Sequence, residues 1–161
     1  MNNKQPIAYV ICGFIGAGKT TFARKLEKET GAIRITKDEW MIKIFGNKIT
    51  SDKNFEEYDK NVIELTRHFA FRILESGGDV IMDEGFWAKS EREDLKKNIL
   101  NIGAKPILYY VEFPIEKMRD RVVNRSLIPP DDSFEISEEM FDKYLKYWEP
   151  PTAEEDILLV T

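Results

Sequence analysis

One short segment constrains the fold of this chain more than any other feature. An apolar run at residues 7–12 leads into eight residues that match the pattern G-x-x-x-x-G-K-[ST] in full: Gly13-Phe14-Ile15-Gly16-Ala17-Gly18-Lys19-Thr20. Glycines let successive backbone N–H groups curl around an anion, and a following helix presents its positive N-terminal end to that anion. We therefore expect this segment to hold the phosphates of ATP or a close relative.

Each polar group of the segment has an expected role in nucleotide binding. The Lys19 ammonium would neutralise oxygens of the β- and γ-phosphates, and the Thr20 hydroxyl would ligate Mg²⁺. ATP and Mg²⁺ are thus the expected cofactors. The expected nucleotide-binding residues are Gly13, Gly16, Ala17, Gly18, Lys19, Thr20 and Thr21.

Strand and helix patterns alternate along the rest of the chain. Apolar runs predict strands at 7–12, 32–36, 79–83, 106–113 and 157–160. Between them, helices are predicted at 19–30, from about 51 to 76, from 90 to about 102, after Pro114, and at 137–148, with 37–50 irregular or briefly helical. This order predicts an α/β, three-layer P-loop NTPase fold, with a mainly parallel five-stranded sheet and helices on both faces. Residues 1–161 would form a single domain, with a lid region at about 119–136.

Three details of this pattern are open to a structural check. Val62, Leu65, Phe69 and Ile73 predict the inward stripe of the long helix. Ser90 and Glu93 have the spacing of a capping box, which predicts a helix start at Ser90. Ile115, Met118 and Val122 are expected to point inward from the helix after Pro114.

Composition narrows the classes of partner. The 161 residues carry a formal net charge of −5, which argues against a large non-specific nucleic-acid surface. The polar start of the chain is unlike a signal peptide, and no apolar run approaches the ~20 residues that span a bilayer, so we expect a cytoplasmic protein without membrane contact. The single cysteine, Cys12, excludes an intrachain disulfide and is expected in the core. Oligomeric state is left open.

Small phosphotransferases fit the chain better than other P-loop classes. Guanine-specific GTPases carry N-K-x-D or T-K-x-D, whereas residues 36–39 end in Glu39 and residues 47–50 end in Thr50. Motor-type ATPases need more chain for a second lobe. A small kinase therefore remains the favoured class.

Four side chains outside the phosphate loop are candidates for its chemistry. Asp38 follows the second strand and could orient an attacking hydroxyl, or could be a helix N-cap. Asp83 closes the apolar run of the third strand, as in a Walker B motif, and could serve Mg²⁺ directly or through water, or simply start a loop. Arg121 and Arg125 are four residues apart, so they could clamp phosphate charge together or belong to a solvated face. Lys19, Asp38, Arg121 and Arg125 form the expected catalytic set.

In their order along the chain, these residues resemble the small P-loop kinases labelled as AAA-type ATP-binding proteins or predicted kinases. The 5′-kinase domain of polynucleotide kinase, chloramphenicol phosphotransferase and gluconate kinase are of the same type. The resemblance rests on the phosphate loop, Asp38, residues 83–87 with Arg92, the pair Arg121 and Arg125, and residues 148–154 before the last strand. It implies Asp38 as the hydroxyl-orienting base, Arg121 and Arg125 as lid contacts to phosphate, and the turn at 150–154 near the adenine.

The acceptor is less defined than the donor. Polynucleotide kinases have an arginine shortly after the base, but residues 39–43 contain none, which argues with the acidic charge against a nucleic-acid acceptor. We expect a hydroxyl of a small molecule. A nucleoside, nucleotide or 5′-hydroxyl polynucleotide kinase is the second hypothesis, in which Arg67, Arg72 or Arg92 would bind the acceptor. An ATP-binding switch without transfer is the third.

Overall fold

Five strands alternate with helices in the computed structural model, which describes residues 4–127 and 133–161. The strands are β1 (Ile7–Cys12), β2 (Ile33–Thr36), β3 (Val80–Gly85), β4 (Lys105–Val111) and β5 (Ile157–Val160). The α-helices are α1 (Lys19–Thr30), α2 (Lys37–Phe45), α3 (Phe55–Glu75), α4 (Lys89–Asn101), α5 (Ile115–Leu127) and α6 (Glu138–Leu145). Two short 3₁₀ turns lie at Ile49–Ser51 and Ala153–Glu155.

The strands form one sheet in the order β2-β3-β1-β4-β5, and all four pairings are parallel. The connection from β1 leads toward β2, whereas the connection from β3 leads in the opposite direction, to β4. Ligands of open parallel sheets bind beyond the carboxyl ends of strands where connections diverge in this way. The junction of β1 and β3 is therefore the expected binding crevice.

Helices cover the sheet on both faces, as predicted, and each face has its own buried cluster. Side chains alternate along a strand, so Ile11 and Ile81 pack with α1 and α5 on one face, through residues such as Ala23 and Val122. On the other face Val10 and Met82 pack with Ala70 and Leu74 of α3 and with Leu95 and Ile99 of α4. The predicted α/β fold with five strands is confirmed.

The predicted inward stripe of α3 is wrong in part. Val62 is buried, but Leu65 and Phe69 are 43% and 47% exposed. The face turned inward carries every fourth residue of the helix: Val62, Thr66, Ala70 and Leu74. Small side chains in that row let the helix approach the sheet closely. Phe69 packs instead on the Trp40 ring, with ring centroids 5.8 Å apart.

Smaller corrections concern helix ends. Residues 37–45 form a helix of nine residues, where the sequence left the segment irregular or briefly helical. Helix α4 begins at Lys89 after Ala88, and no side chain caps it, so the predicted capping box at Ser90 is wrong. Met118 and Val122 are buried as predicted, but Ile115 is 41% exposed because it lies in the first turn of α5. None of the helices within residues 4–127 and 133–161 has both the length and the apolar character of a membrane-spanning segment.

Cys12 should be chemically silent while the protein is folded. Its side chain is fully buried, its thiol lies 3.4 Å from the Phe86 carbonyl oxygen, and burial raises its pKa to about 12. The reactive thiolate is thus nearly absent at pH 8. We expect no reaction with an aromatic disulfide reagent at that pH and one thiol per chain after unfolding in urea, measured by absorbance. Fast labelling of the native protein would contradict this burial.

Candidate active site

The phosphate loop is a tight turn packed against neighbouring backbone. Gly16 and Gly18 adopt left-handed conformations, with φ of 81° and 98°, that glycine tolerates best. A Cβ atom on Gly13 would lie 2.8 Å from the Val111 carbonyl oxygen, so any side chain at this position would clash with that oxygen. Helix α1 begins at Lys19, directly after the loop. Its free N-terminal N–H groups therefore face the space that the loop encloses.

Lys19 folds back over this loop. Its Nζ donates a hydrogen bond of 2.9 Å to the Phe14 carbonyl oxygen. Burial lowers the pKa of Lys19, whereas the charges of Asp83 and Asp38 raise it and that of Arg125 lowers it further. These three ionic groups therefore lie close enough to act on the ammonium.

Asp83 joins the loop to the end of the sheet. It is 4% exposed in β3, and its Oδ2 accepts hydrogen bonds from the Thr20 hydroxyl at 2.8 Å and the Thr36 hydroxyl at 3.1 Å. Burial raises the pKa of Asp83, while Lys19 and the two hydroxyls counteract that rise. A carboxylate beside a threonine hydroxyl is an all-oxygen donor set, which suits Mg²⁺.

A cavity of about 580 Å³ opens in front of these groups, at the carboxyl ends of β1 and β3. Of the predicted residues, those that line it are Gly16, Gly18, Lys19, Thr20, Thr21, Asp38, Asp83, Arg121 and Arg125. Gly13 and Ala17 do not line it; both are buried within the loop itself. The predicted catalytic and metal-binding side chains thus converge on one space.

Asp38 lies in the first turn of α2, one residue after the helix begins. The N-cap position belongs to Thr36, so the alternative reading of Asp38 as the N-cap is wrong. The Asp38 side chain is 50% exposed, and its Oδ1 lies 3.1 Å from Nζ of Lys37. Its carboxylate is therefore oriented by an ion pair while it remains open to the cavity.

Arg121 and Arg125 approach the loop from α5. The Arg121 guanidinium stacks on Phe113, 3.6 Å from the ring centroid, and its Nη1 lies 3.4 Å from the Gly16 carbonyl oxygen. Arg119 has another role, because it pairs with Asp142 at 2.6 Å and ties α6 to α5. The predicted lid at about 119–136 includes residues 128–132, which lie outside the described part of the chain.

The sequence did not reveal a set of ionic groups on the other side of the cavity. Nζ of Lys37 bonds Oδ1 of Asp59 at 2.6 Å, and Arg67 bonds both Glu84 and Glu91. Along the sequence, Arg67 lies 17 residues from Glu84 and 24 from Glu91, and Lys37 lies 22 residues from Asp59. No local spacing signals such contacts.

The chain turns sharply after β3, where Gly85 and Phe86 both have positive φ, 108° and 49°. Arg92 holds this turn, since its Nη1 donates to the Phe86 and Trp87 carbonyl oxygens, each at 2.9 Å. Phe86 is buried, and Trp87 packs on Phe14, with ring centroids 5.2 Å apart. Both rings also line the cavity.

The turn at 150–154, expected near the adenine, does not line this cavity. The segment around it packs on the β3–α4 connection: the Glu149 carboxylate accepts from the Lys89 amide at 2.6 Å, and Glu155 pairs with Arg92 at 2.6 Å. Glu154 contributes to a smaller hollow of about 230 Å³ beside α4. The adenine contacts therefore stay a prediction.

Comparison with known proteins agrees with this arrangement of fold and phosphate loop. The pattern of the AAA domain family matches residues 9–151. This chain belongs to the AAA domain family. The match covers β2, β3 and β4 completely and β1 from residue 9 onward, and it ends before β5.

Curated relatives of this family member include two shikimate kinases. The enzyme of Caldicellulosiruptor saccharolyticus is 24% identical over 153 residues, covering 76% of this chain and 88% of the enzyme. That of Caldicellulosiruptor bescii is 24% identical over 119 residues, covering 70% of this chain and 62% of the enzyme, which is less than two thirds of its length.

Solved structures share the fold at lower sequence identity. Kti12 of Chaetomium thermophilum, in complex with ADP-AlF3, has a TM-score of 0.71 at 19% identity and covers 95% of this chain and 88% of its own. A gluconokinase of Sinorhizobium meliloti has a TM-score of 0.63 at 16% identity, covering 98% of this chain and 83% of its own. These similarities show the fold of this AAA domain protein and carry no information about its acceptor.

Proposed function

We propose that the protein is an ATP-dependent phosphotransferase that moves the γ-phosphate to a hydroxyl of a small molecule. The observation that carries the proposal is that Lys19, Asp38 and Asp83 line one cavity at the carboxyl ends of the strands. Phosphoryl transfer needs a cation on the donor phosphates, a metal site and a carboxylate toward the acceptor, and this cavity offers all three. Membership of the AAA domain family and the shikimate kinase relatives support it.

The donor side follows from the loop. Its backbone N–H groups and the Lys19 ammonium would bind oxygens of the β- and γ-phosphates. The donor set of Thr20 and Asp83 fits Mg²⁺, which when bound neutralises charge on those phosphates. Arg121 and Arg125 border the same cavity and would compensate charge on the transferring group.

The acceptor side centres on Asp38. Its carboxylate would accept a hydrogen bond from the acceptor hydroxyl and take the proton as the new oxygen–phosphorus bond forms. The bond between the γ-phosphorus and the bridging oxygen breaks, and ADP leaves with that electron pair. Positioning and charge compensation supply most of the acceleration in such reactions.

A panel of acceptors tests the proposal. We expect at least one hydroxyl compound among nucleosides, nucleotides, sugars, amino sugars and 5′-hydroxyl oligonucleotides to stimulate ADP release from Mg²⁺–ATP. Mass spectrometry should then find that compound with one added phosphoryl group. The Lys19→Ala variant, prepared in the same way, controls for contaminating enzymes, and a chelator shows whether the stimulation requires Mg²⁺. ATP binding without any phosphorylated product across the panel would instead favour an ATP-binding switch.

A further inference from the structure

The order of the strands divides the cavity into two electrostatic halves. β2 and β3 lie on one side of β1, and β4 lies on the other. Helix α5 follows β4, so Arg121 and Arg125 border the side of the cavity that carries Lys19. The opposite half is built by α2, α3, the end of β3 and the start of α4. Four carboxylates line it: Asp38, Asp59, Glu84 and Glu91.

Two cations face these four carboxylates. Lys37 pairs with Asp38 and Asp59, and Arg67 pairs with Glu84 and Glu91. Burial alone would lower the pKa of Lys37, but its two aspartate neighbours raise it above its ordinary value, so it counts as a full positive charge. The formal balance of this half is therefore two negative charges.

This excess of negative charge does not depend on Asp38, which also lies close enough to act on the Lys19 ammonium. Without Asp38, three carboxylates still face two cations, so one negative charge is uncompensated. Residues 1–3 and 128–132, outside the described part of the chain, include no lysine or arginine that could change the balance.

Two aromatic rings also line the cavity near these carboxylates. Burial and the Asp59 charge raise the pKa of the Tyr144 hydroxyl, so Tyr144 lies near Asp59, and the Trp87 ring packs on Tyr144 with the centroids 5.7 Å apart. A tryptophan face attracts a cation through its ring quadrupole. Among the lining carboxylates, Glu91 keeps 31% of its side chain exposed and Asp59 keeps 24%. Both can therefore accept a hydrogen bond from a ligand.

We propose that the acceptor is a hydroxyl compound that carries a protonated amine, such as an amino sugar or an amino alcohol, and that Glu91, Asp59 and Trp87 recognise its ammonium group. This inference rests on the proposed function, because it names the acceptor of that same site. It separates the protein from relatives whose names specify shikimate and gluconate, both carboxylates. An acceptor carboxylate would meet uncompensated negative charge here, which disfavours it.

Three sugars of similar size and different charge test the inference: glucosamine, N-acetylglucosamine and gluconate. Their binding is measured calorimetrically to the full chain loaded with Mg²⁺ and a non-hydrolysable ATP analogue, and transfer is measured separately by product mass. We expect glucosamine to bind about tenfold or more tightly than the other two, because hydrogen bonds to charged groups are the stronger ones.

Matched variants locate the effect. Glu91→Gln keeps size and removes charge, so it should weaken glucosamine binding about tenfold and leave N-acetylglucosamine binding unchanged. Asp94→Asn changes an exposed carboxylate on the same helix that does not line the cavity, and should alter neither.

The outcomes separate the two proposals. A preference for glucosamine that Glu91→Gln removes supports the amine site. If no phosphorylated product forms in that case, the transferase proposal alone fails. Equal or tighter binding of gluconate overturns the amine site and leaves the transferase proposal intact. Absence of binding by all three sugars also overturns it.

Discussion

Replacing Asp38 with asparagine should lower the rate of phosphoryl transfer by about 10²- to 10⁴-fold and leave ATP affinity unchanged. General-base catalysis by a positioned carboxylate contributes an acceleration of this size. Asparagine has nearly the same shape but is a poor proton acceptor. The groups that would bind ATP lie in the loop between β1 and α1 and in the first turn of α1, whereas Asp38 belongs to α2, so nucleotide binding should not depend on it.

The measurement separates kcat from KM with the acceptor found in the panel. Asp59→Asn is a matched control, because Asp59 also lines the cavity and also pairs with Lys37, at 2.6 Å. Effects that act through Lys37 or through overall charge would appear in both variants. We expect Asp38→Asn to reduce kcat and Asp59→Asn to act mainly on the acceptor KM. An Asp38→Asn variant with normal kcat would contradict the proposed role.

The sequence predicted those parts of the fold and site that depend on local patterns. The bounds of β1, α1 and β5 agree with the structure, because an apolar run and the fixed geometry of the phosphate loop determine them. The position of Asp83 at the cavity also follows from a local pattern, because Asp83 closes an apolar run, although β3 continues to Gly85. Its role in binding Mg²⁺ stays a prediction. The structure brings these separate motifs to one edge of a parallel sheet.

Two features were not predicted from the sequence: the face of α3 that packs on the sheet, and the ion pairs between residues far apart in the chain. Helix α3 has apolar residues in two adjacent rows, and hydrophobicity alone does not say which packs on the sheet. The sheet takes the row with Ala70 and Thr66, because small side chains allow close approach, and leaves Phe69 outward. Lys37–Asp59 and Arg67–Glu84 have no spacing that a sequence pattern could reveal.

Among the ion pairs between described residues, Arg92 and Glu155 form the most deeply buried one, with 2% and 6% of their side chains exposed. Two hydrogen bonds, 2.6 and 2.9 Å long, join the guanidinium to the carboxylate. Arg92 also donates to the Phe86 and Trp87 carbonyl oxygens, so it holds the left-handed turn that carries both rings into the cavity. A bulky residue at positive φ stays there only if surrounding contacts fix it.

Substitution of Arg92 by methionine should therefore destabilise the protein by about 3–5 kcal/mol, because removing one partner leaves a buried charge uncompensated. Urea unfolding followed by tryptophan fluorescence measures the loss. Lys96→Met is the control, because Lys96 of the same helix pairs with Asp156, the residue after Glu155, at 4.0 Å. The side chains of that pair are 44% and 94% exposed, so a loss of about 0–1 kcal/mol is expected. A loss below about 1 kcal/mol for Arg92→Met would contradict the structural role.

Acid offers a second measurement of the same pair. The hydrogen bond from Arg92 lowers the pKa of Glu155 below its ordinary value of 4.5, so the folded state favours the charged carboxylate. A depressed folded-state pKa contributes stability above the unfolded value and loses it as pH falls through the folded value. The stability gap between the wild type and Glu155→Gln should therefore be full at neutral pH and shrink below about pH 4.5. A gap that widens in acid would show that Glu155 is not held as a carboxylate by Arg92.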